Sequence, residues 1–268
     1  MTVKLDIREV GKIYDEEEAR PVHALDAVSL GIEEGEFVSL LGPSGCGKST
    51  LLYVIAGFER ATSGAVRVDG RLVTGPGADR GLVFQDYALF PWKTVRQNIA
   101  FGLEIRGLPA ARCRAIAEEH IAFVGLSGFE DKYPHQLSGG MRQRCALARC
   151  VANDPEVLLM DEPLAAIDAL TRQSLQEEIL RVASARDGRP RRTVVYVTHS
   201  IEEAVFMSDR IVLMSPRPGR VLKIVDVPFG RQRDDGTRLL PQFSALCGEI
   251  WQALKDHLVI TPRKERHP

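Results

Sequence analysis

The stretch that decides the fold is FVSLLGPSGCGKSTLLY, residues 37–53. Its first five residues form an apolar run typical of a buried strand, and apolar residues return at helical spacing after Lys48. Between the two runs, the residues from Gly42 to Ser49 match the pattern G-x-x-x-x-G-K-[ST]. Glycines let the backbone curl until successive N–H groups point inward at phosphate oxygens. The stretch therefore predicts a strand, a phosphate-binding loop and a helix, in that order.

The predicted loop gives its side chains particular tasks. Lys48 can reach the β- and γ-phosphates of a nucleotide, and the Ser49 hydroxyl can ligate Mg²⁺. The positive N-terminal end of the helix adds to the attraction for phosphate. The candidate ATP-binding residues of the loop are Gly42, Pro43, Ser44, Gly45, Cys46, Gly47, Lys48, Ser49 and Thr50.

Cys46 lies two residues before Lys48 and allows two interpretations. A thiol at a helix N-terminus beside an ammonium group is acidified, which predicts a reactive thiolate that bound nucleotide would shield. In the other interpretation, the side chain points into the protein as a small apolar group.

Composition and charge limit the class of protein. The 268 residues are 44% hydrophobic and 26% charged, as in ordinary globular proteins. The 35 basic and 36 acidic side chains give no overall attraction to nucleic acid, so we expect no nucleic-acid partner. No stretch reaches the ~20 apolar residues of a membrane-spanning helix, and residues 1–10 do not resemble a signal peptide. The five cysteines form no C-x-x-C pair, which favours a reducing, cytoplasmic compartment.

Polar side chains come directly after three further apolar runs of the sequence. Gln85 follows one run, Asp161 and Glu162 end the second, and His199 follows the third. The carboxyl ends of parallel strands are where ligands bind, so we expect Asp161 to hold Mg²⁺ through water and Glu162 to act as general base. Gln85 can lend its oxygen to a metal or water. The alternatives are solvated turn residues for the two acids and a structural role for His199.

An arginine-rich helix is predicted to begin within the sequence YPHQLSGGMRQR, residues 133–144. Ser138, Gly139 and Gly140 lie at its start, where a helix N-terminus can receive an anion. The alternative is a serine cap followed by a permissive glycine pair.

Two aromatic features also allow more than one interpretation. Tyr14 follows the first predicted strand, residues 3–10, and a tyrosine at such a place is more often a core or edge residue than a ligand. The loop LFPW, residues 89–92, follows Gln85 closely, and apolar side chains in a loop often mark a contact surface. We expect this loop to bind a partner; otherwise Phe90 and Trp92 belong to the core.

Taken in order, these motifs resemble the ATPase subunit of ATP-binding cassette (ABC) transporters. The most specific motif is LSGG, residues 137–140, which other phosphate-loop ATPases lack. The segments FQDYALFPW and IEEAVFMSDRIVLMSPRPGR, together with the short C-terminal helix, are similar to importer ATPases of the nitrate, sulfonate and taurine group.

The resemblance implies an α/β fold of the P-loop NTPase, ABC-ATPase type. We expect a mainly parallel core sheet flanked by helices, an antiparallel β subdomain and a helical signature subdomain at about residues 88–150. An ABC ATPase domain would span residues 1–229. Residues 230–238 are polar and predict a linker, and apolar residues at helical spacing then predict a C-terminal amphipathic helix within residues 230–268.

The resemblance also implies roles for individual residues, with ATP and Mg²⁺ as cofactors. Tyr14 would stack on adenine, and Asp168 matches the D-loop aspartate. The catalytic set would be Glu162, His199 and Gln85, and the metal set Ser49, Gln85 and Asp161. The residues that would contact ATP held by the opposite subunit are Leu137, Ser138, Gly139, Gly140 and Met141.

Members of the family work as ATP-bridged dimers, so the implied partner is an identical or paired ATPase subunit. Membrane permease subunits and an extracytoplasmic solute-binding protein complete an importer, at whose cytoplasmic membrane face this chain would lie. The implied solute is a small anion such as nitrate, sulfonate or taurine. The alternatives are a soluble ABC ATPase acting on nucleic acid or the ribosome, and the detached ATPase of an exporter.

Two single residues and one short segment depart from the family pattern. Met141 stands where glutamine is common, and Cys150 replaces the usual alanine after Arg149. Residues 164–168 read LAAID where a sequence such as FGALD is expected, which adds methyl groups close to the predicted dimer seam.

Overall fold

The computed structural model describes residues 2–16, 20–165, 167–184 and 190–258, whose strands form two sheets. The strands are β1 (Val3–Tyr14), β2 (Val22–Glu33), β3 (Phe37–Leu41), β4 (Ser63–Val68), β5 (Arg71–Leu72), β6 (Arg80–Val83), β7 (Val157–Asp161), β8 (Thr193–Thr198), β9 (Arg210–Met214) and β10 (Val221–Asp226).

Helices connect and cover these strands, and a short 3₁₀ turn lies at Pro134–Gln136. The helices are α1 (Lys48–Ala56), α2 (Val95–Ile105), α3 (Ala110–Phe123), α4 (Gly139–Val151), α5 (Ala169–Ala183), α6 (Ile201–Met207), α7 (Asp235–Arg238) and α8 (Pro241–Leu258). Within the described ranges, none of them is long and apolar enough to cross a membrane.

The larger sheet has the strand order β10-β9-β3-β8-β7-β6. Strands β3, β6, β7, β8 and β9 run parallel, whereas the edge strand β10 pairs antiparallel with β9. Every residue of β3, β7 and β8 is buried, as expected for parallel strands covered on both faces. The carboxyl ends of β3, β8, β7 and β6 therefore lie side by side along one edge, which brings the polar residues that follow them together. The predicted core sheet is confirmed.

The smaller sheet, with the order β2-β1-β4-β5, is antiparallel throughout and forms the expected β subdomain. Its buried side chains, among them Leu5 and Ile32, share one hydrophobic cluster with Leu51 and Ile55 of α1 and with Leu40 of β3. Helix α1 is thus packed between the two sheets. This packing holds the start of α1 in place at the edge of the parallel sheet.

Helices α2, α3 and α4 form the expected helical subdomain around a hydrophobic cluster of their own. A capping box starts α2, because the Thr94 side chain accepts from the Gln97 N–H and the Gln97 side chain accepts from the Thr94 N–H. Helix α4 also contacts β6 and α5 and so joins this subdomain to the core.

The C-terminal helix α8 packs against α6, which in turn contacts β3 and β8 of the core sheet. Phe243, Ile250 and Leu254 of α8 belong to the same hydrophobic cluster as Leu158 of β7 and Tyr196 of β8. The predicted linker is held there as well, since the Arg233 guanidinium donates to the carbonyls of Val205 and Phe206. The division at residues 229 and 230 therefore separates two segments that share one core, and it stays a proposal.

Candidate functional site

The phosphate loop connects β3 to α1 through residues 42–47. Gly47, the residue before the helix, has φ 98°, and a Cβ atom there would lie 2.7 Å from the Ala24 carbonyl oxygen. At Gly42 a Cβ atom would lie 2.9 Å from both the Cys46 sulfur and the Met214 carbonyl oxygen. Both positions therefore require glycine, which explains the spacing of the motif.

Lys48 is a buried cation for which the described part of the chain supplies no anion. Its side chain is 4% exposed, and its Nζ donates to the carbonyl oxygens of Gly42, at 2.8 Å, and Pro43, at 3.1 Å. It forms no ion pair within the described ranges. A buried charge is costly unless it is paired, so the ammonium group is suited to receive the phosphates of a nucleotide.

Asp161 is a buried anion, the counterpart of the buried Lys48 cation, and is only 2% exposed. Its Oδ1 accepts a hydrogen bond from the Ser49 hydroxyl and its Oδ2 one from the Tyr53 hydroxyl, each at 2.8 Å. No basic side chain of the described ranges pairs with it. This buried anion beside a hydroxyl ligand fits a cation, and the donor set suits Mg²⁺.

The described residues contain no group of three or more His, Cys, Asp or Glu placed to hold a metal ion. Mg²⁺ in nucleotide sites keeps several waters and is held by one or two protein side chains plus phosphate oxygens. Ser49 and Asp161 therefore fit an ion that arrives with the nucleotide.

Glu162 and His199 meet at the carboxyl ends of β7 and β8. Glu162 has φ 44°, and its backbone N–H donates to the Val197 carbonyl oxygen at 3.0 Å. His199 Nδ1 lies 3.3 Å from Glu162 Oε2, a hydrogen bond in which the donor depends on the histidine tautomer. Left-handed backbone at a non-glycine residue is uncommon and concentrates at functional sites, which agrees with a role for this carboxylate.

Gln85 and Tyr14 approach the same edge from different elements. Gln85 follows β6 and is exposed, and its side chain forms no hydrogen bond with the described residues. Tyr14 ends β1, and its hydroxyl lies 3.5 Å from the Thr50 hydroxyl at the start of α1. The Lys12 ammonium group lies 4.7 Å from the centre of the Tyr14 ring. The structure thus brings Tyr14 to the phosphate loop.

The signature residues cap α4 and face another helix. Leu137 is buried, and the Ser138 side chain accepts from the Met141 N–H at 3.3 Å. A Cβ atom at Gly140 would lie 2.5 Å from Cγ2 of Thr171 on α5, so this glycine allows the two helices to approach closely. No hydrogen bond joins residues 137–141 to residues 42–50 in the structure as described. Among the described residues of one chain, then, no hydrogen bond connects the signature to the phosphate loop.

Asp168 caps α5, whose Thr171 N–H donates to its side chain at 3.0 Å. This hydrogen bond lowers the pKa of the Asp168 carboxyl. In the LAAID segment, the side chains of Leu164 and Ile167 are buried in the core, whereas Ala165 is exposed. The remaining alanine, at position 166, lies outside the described residues.

The Cys46 side chain points into the protein as a small apolar group, which was the second of the two interpretations. Its side chain is 1% exposed and belongs to the hydrophobic cluster under α1. Burial raises the pKa of the Cys46 thiol, although Lys48, 3.8 Å away, acts in the opposite direction. The predicted reactive thiolate is therefore wrong. The local charge that would acidify the thiol is outweighed by desolvation, which a sequence motif does not display.

The geometry is that of a nucleotide site, and comparison with known proteins identifies its family. A family model described as "ABC transporter" matches residues 25–165, just over half of the 268 residues. The chain belongs to the ABC transporter family. The ABC transporter ATP-binding protein MJ0412 of Methanocaldococcus jannaschii is 49% identical to this ABC protein, over 97% of this chain and 94% of the relative.

The resemblance to ATPases of the nitrate, sulfonate and taurine group is also confirmed. The taurine import ATP-binding protein TauB of Jannaschia sp. is 44% identical, over 92% of this chain and 92% of the relative. A solved dimeric structure of the ATP-binding cassette MJ0796, described as a post-hydrolysis state bound to ADP and Pi, matches with a TM-score of 0.73 and 33% identity, covering 84% of this chain and 100% of that one. The ABC-ATPase fold is confirmed, and the chain binds and hydrolyses ATP.

Two contacts that support the phosphate loop of this ABC site were not expected from the sequence. The turn before β10 packs on the phosphate loop, because Gly219 exchanges backbone hydrogen bonds with Ala24 and Asp26 and a Cβ atom there would lie 2.1 Å from the Cys46 carbonyl oxygen. Arg217 Nε from the same turn donates to the Gly45 carbonyl oxygen at 3.2 Å. A Pro-Gly pair, here Pro218 and Gly219, is typical of a turn, but the sequence does not show which segment lies next to that turn.

The loop after Gln85 has its own support. Tyr87 and Ala88 both have positive φ, at 59° and 46°, and their carbonyl oxygens accept hydrogen bonds from the Arg149 guanidinium. The fully buried Asn98 side chain donates to the carbonyls at the other end of the loop and accepts from the Phe90 N–H at 2.9 Å. The signal available in the sequence was Asn98 itself, a polar residue that directly precedes an apolar run in the expected helical subdomain.

A buried carboxyl at the contact between α4 and α5 predicts a pH effect on stability. Oε2 of Glu178 lies 3.4 Å from Arg144 Nε, and burial, the larger influence, raises the pKa of Glu178 to about 7. At pH values between about 4.5 and 7, the folded protein keeps a proton on Glu178 that the unfolded chain has released. The protonated carboxyl therefore adds to the free energy of unfolding in full below pH ~4.5, and this addition is lost as the pH rises through about 7.

We expect Glu178→Gln to remove this loss. Between about pH 5.5 and pH 8, the free energy of unfolding of the variant should gain about 1–2 kcal/mol relative to the unsubstituted protein. Urea unfolding at the two pH values measures the difference. An equal change with pH in both proteins would contradict the assignment.

Proposed function

We propose that this ABC protein is the ATP-hydrolysing subunit of an importer, in which two ATPase chains close around ATP and drive uptake through separate permease subunits. The observation that carries the proposal is the arrangement at one sheet edge. Among the residues that the structure describes, the buried Lys48 has no anionic partner and the buried Asp161 has no cationic partner, and the Glu162–His199 pair lies beside them.

In the proposed reaction, Lys48 and the N–H groups of the loop hold the β- and γ-phosphates, and Tyr14 stacks on adenine. The water oxygen bonds to the γ-phosphorus while Glu162 accepts a proton from that water, and the bond from this phosphorus to the β–γ bridging oxygen breaks. His199 holds the Glu162 carboxylate in position, and ADP and phosphate leave.

Ser49, Asp161 and Gln85 are the residues that would hold Mg²⁺ in this site. The bound ion would neutralise negative charge on the phosphates. Gln85 has to turn toward the nucleotide for this role, and its side chain is exposed and forms no hydrogen bond with the described residues that would oppose the turn.

The separation of the signature from the phosphate loop supports a dimer. Residues 137–141 present a helix N-terminus capped by Ser138, and this end can receive a phosphate of the ATP that a second chain holds. The relative MJ0796 is described as dimeric with ADP and Pi bound. Asp168 lies close to the proposed dimer interface, because it accepts a hydrogen bond from Thr171, and Thr171 in turn contacts Gly140 of the signature.

The proposed permease contact is the loop after Gln85. Trp92 is 70% exposed, whereas Phe90 is half-buried, with its ring centre 4.5 Å from that of Phe101. The predicted contact surface therefore does not include Phe90, although Phe90 belongs to the LFPW loop. Phe90 supports the loop from the side of the helical subdomain, and Trp92 is the side chain presented to a partner.

We expect Trp92→Ala to weaken co-purification with the permease while leaving ATP binding and the melting temperature unchanged. The reason is that an exposed tryptophan adds binding area but little to the fold. Phe90→Ala is the control for packing, because it should lower the melting temperature. Undiminished permease attachment in Trp92→Ala would remove this side chain from the docking surface.

The proposed solute is a small anion such as taurine, another sulfonate or nitrate, supported by the relatives named as taurine import ATP-binding proteins. Substrate contacts would lie in the permease and in an extracytoplasmic solute-binding protein, with this chain at the cytoplasmic membrane face. Co-purification of the complex, followed by mass spectrometry of the solute on the binding protein, tests the proposal. Recovery with ribosomes or nucleic acid, and no permease, would contradict it.

A further inference from the structure

Tyr53 shares a hydrogen-bonding partner with Ser49. The two residues lie four positions apart on α1, so their side chains project from one face of the helix. Each hydroxyl donates to a different oxygen of Asp161 on β7, Ser49 to Oδ1 and Tyr53 to Oδ2, both at 2.8 Å. We propose that Tyr53 is a positioning residue that fixes the Asp161 carboxylate for the metal ion of the nucleotide site.

The geometry gives Tyr53 control over the rotation of that carboxylate. A carboxylate with one donor can swing about its Cβ–Cγ bond, whereas a donor on each oxygen holds the plane in one orientation. Hydrogen bonds from hydroxyl groups to a carboxylate are charge-assisted and short, and Asp161 is almost wholly buried, so solvent does not compete for its oxygens. Oδ1 is thereby kept toward Ser49, the side of the phosphate loop.

Tyr53 is itself held and kept as a donor. Its ring centre lies 6.5 Å from that of Phe84, the residue before Gln85, and Phe84 packs in turn against Phe58. Because the Asp161 carboxylate can only accept, the Tyr53 hydroxyl is the donor in this contact, and the aromatic packing keeps it aimed at Oδ2.

Residues that orient a metal ligand through its second oxygen or nitrogen raise metal affinity, and their loss typically weakens it by 10–100-fold. The inference rests on the proposed function, because it takes Asp161 as the carboxylate that holds Mg²⁺. It adds a residue that the phosphate-loop pattern does not specify, since position 53 lies outside the motif.

The test measures how strongly Mg²⁺ enhances nucleotide binding. Titration with a fluorescent ATP analogue, in Mg²⁺ and in EDTA, gives the ratio of the two affinities without relying on turnover. We expect Tyr53→Phe, which keeps the ring, to reduce this ratio by about tenfold or more while leaving the affinity in EDTA unchanged. The unchanged affinity in EDTA shows that the variant is folded.

Tyr196→Phe is the matched control. It also removes a tyrosine hydroxyl bound to a carboxylate, that of Glu203 at 3.1 Å, but in the core behind the site. This variant should keep the full Mg²⁺ enhancement. An equal loss of enhancement in both tyrosine variants would overturn the positioning role, because it would mark a general effect of destabilisation.

Asp161→Asn separates the inference from the function on which it rests. Loss of Mg²⁺ enhancement in Asp161→Asn together with full enhancement in Tyr53→Phe would overturn the role of Tyr53 alone. Full enhancement in Asp161→Asn would overturn the metal role of Asp161, and the inference with it. Loss in both, with the larger loss in Asp161→Asn, is the result we expect.

Discussion

Glu162→Gln should bind MgATP normally and hydrolyse it at least about a hundredfold more slowly, within the range expected for loss of a general base. The amide has nearly the shape of the carboxylate, so the contact with His199 and the backbone of β7 can persist. What it loses is the basicity that accepts the proton of the attacking water. ATP therefore remains intact, and the two chains that it bridges should stay together.

Two measurements check this expectation. Steady-state phosphate release gives the turnover, and size-exclusion chromatography with and without ATP shows whether the variant accumulates as an ATP-dependent dimer. Glu202→Gln is a matched control, because this exposed glutamate on α6 lies outside the site and should leave both readouts unchanged. Normal turnover in Glu162→Gln would exclude Glu162 as the base.

Gly219→Ala should damage the phosphate loop from outside the motif. The added methyl carbon would lie 2.1 Å from the carbonyl oxygen of Cys46 and 3.1 Å from the side chain of Met214. Because the closer atom is backbone, either the loop or the turn has to move. We expect a loss of about 3 kcal/mol in the free energy of unfolding and at least about a tenfold weaker affinity for ATP.

Gly248→Ala is the control for this substitution. A Cβ atom at position 248 meets no atom within 4 Å, and alanine has the higher helix propensity in α8. Urea unfolding and titration with a fluorescent ATP analogue measure both effects. Wild-type values for Gly219→Ala would mean that the turn does not press on the phosphate loop.

Most of the fold could be predicted because its signals are local. The apolar runs ending at Leu41, Asp161 and Thr198 coincide with β3, β7 and β8, since strands buried on both faces leave a continuous apolar pattern. The short helix α7 inside the predicted linker was not expected, and no expectation was made for helix α5. Asp168, interpreted as a D-loop residue, was also its N-cap, and that signal could have predicted the helix.

In the candidate site, too, local signals could be predicted and contacts between distant parts of the sequence could not. Residues within a motif, such as Lys48 and Glu162, could be named from spacing. Residues that act through space could not, because their partners lie far away in sequence: Arg149 binds carbonyls about 60 residues earlier, and Tyr53 reaches a carboxylate 108 positions later. The burial of Cys46 belongs to this second class, since it depends on how α1 packs between the sheets.

The central place of β3 in the parallel sheet has a consequence for synthesis of the chain. Both of its neighbours, β8 and β9, are formed by residues 193–214, although β3 itself ends at residue 41. A ribosome must therefore add more than 150 residues before the strand that carries the phosphate loop finds a partner. Such long-range pairing is slow and leaves an apolar strand exposed meanwhile. We expect nascent chains that end before β8 to need a chaperone and to bind no nucleotide.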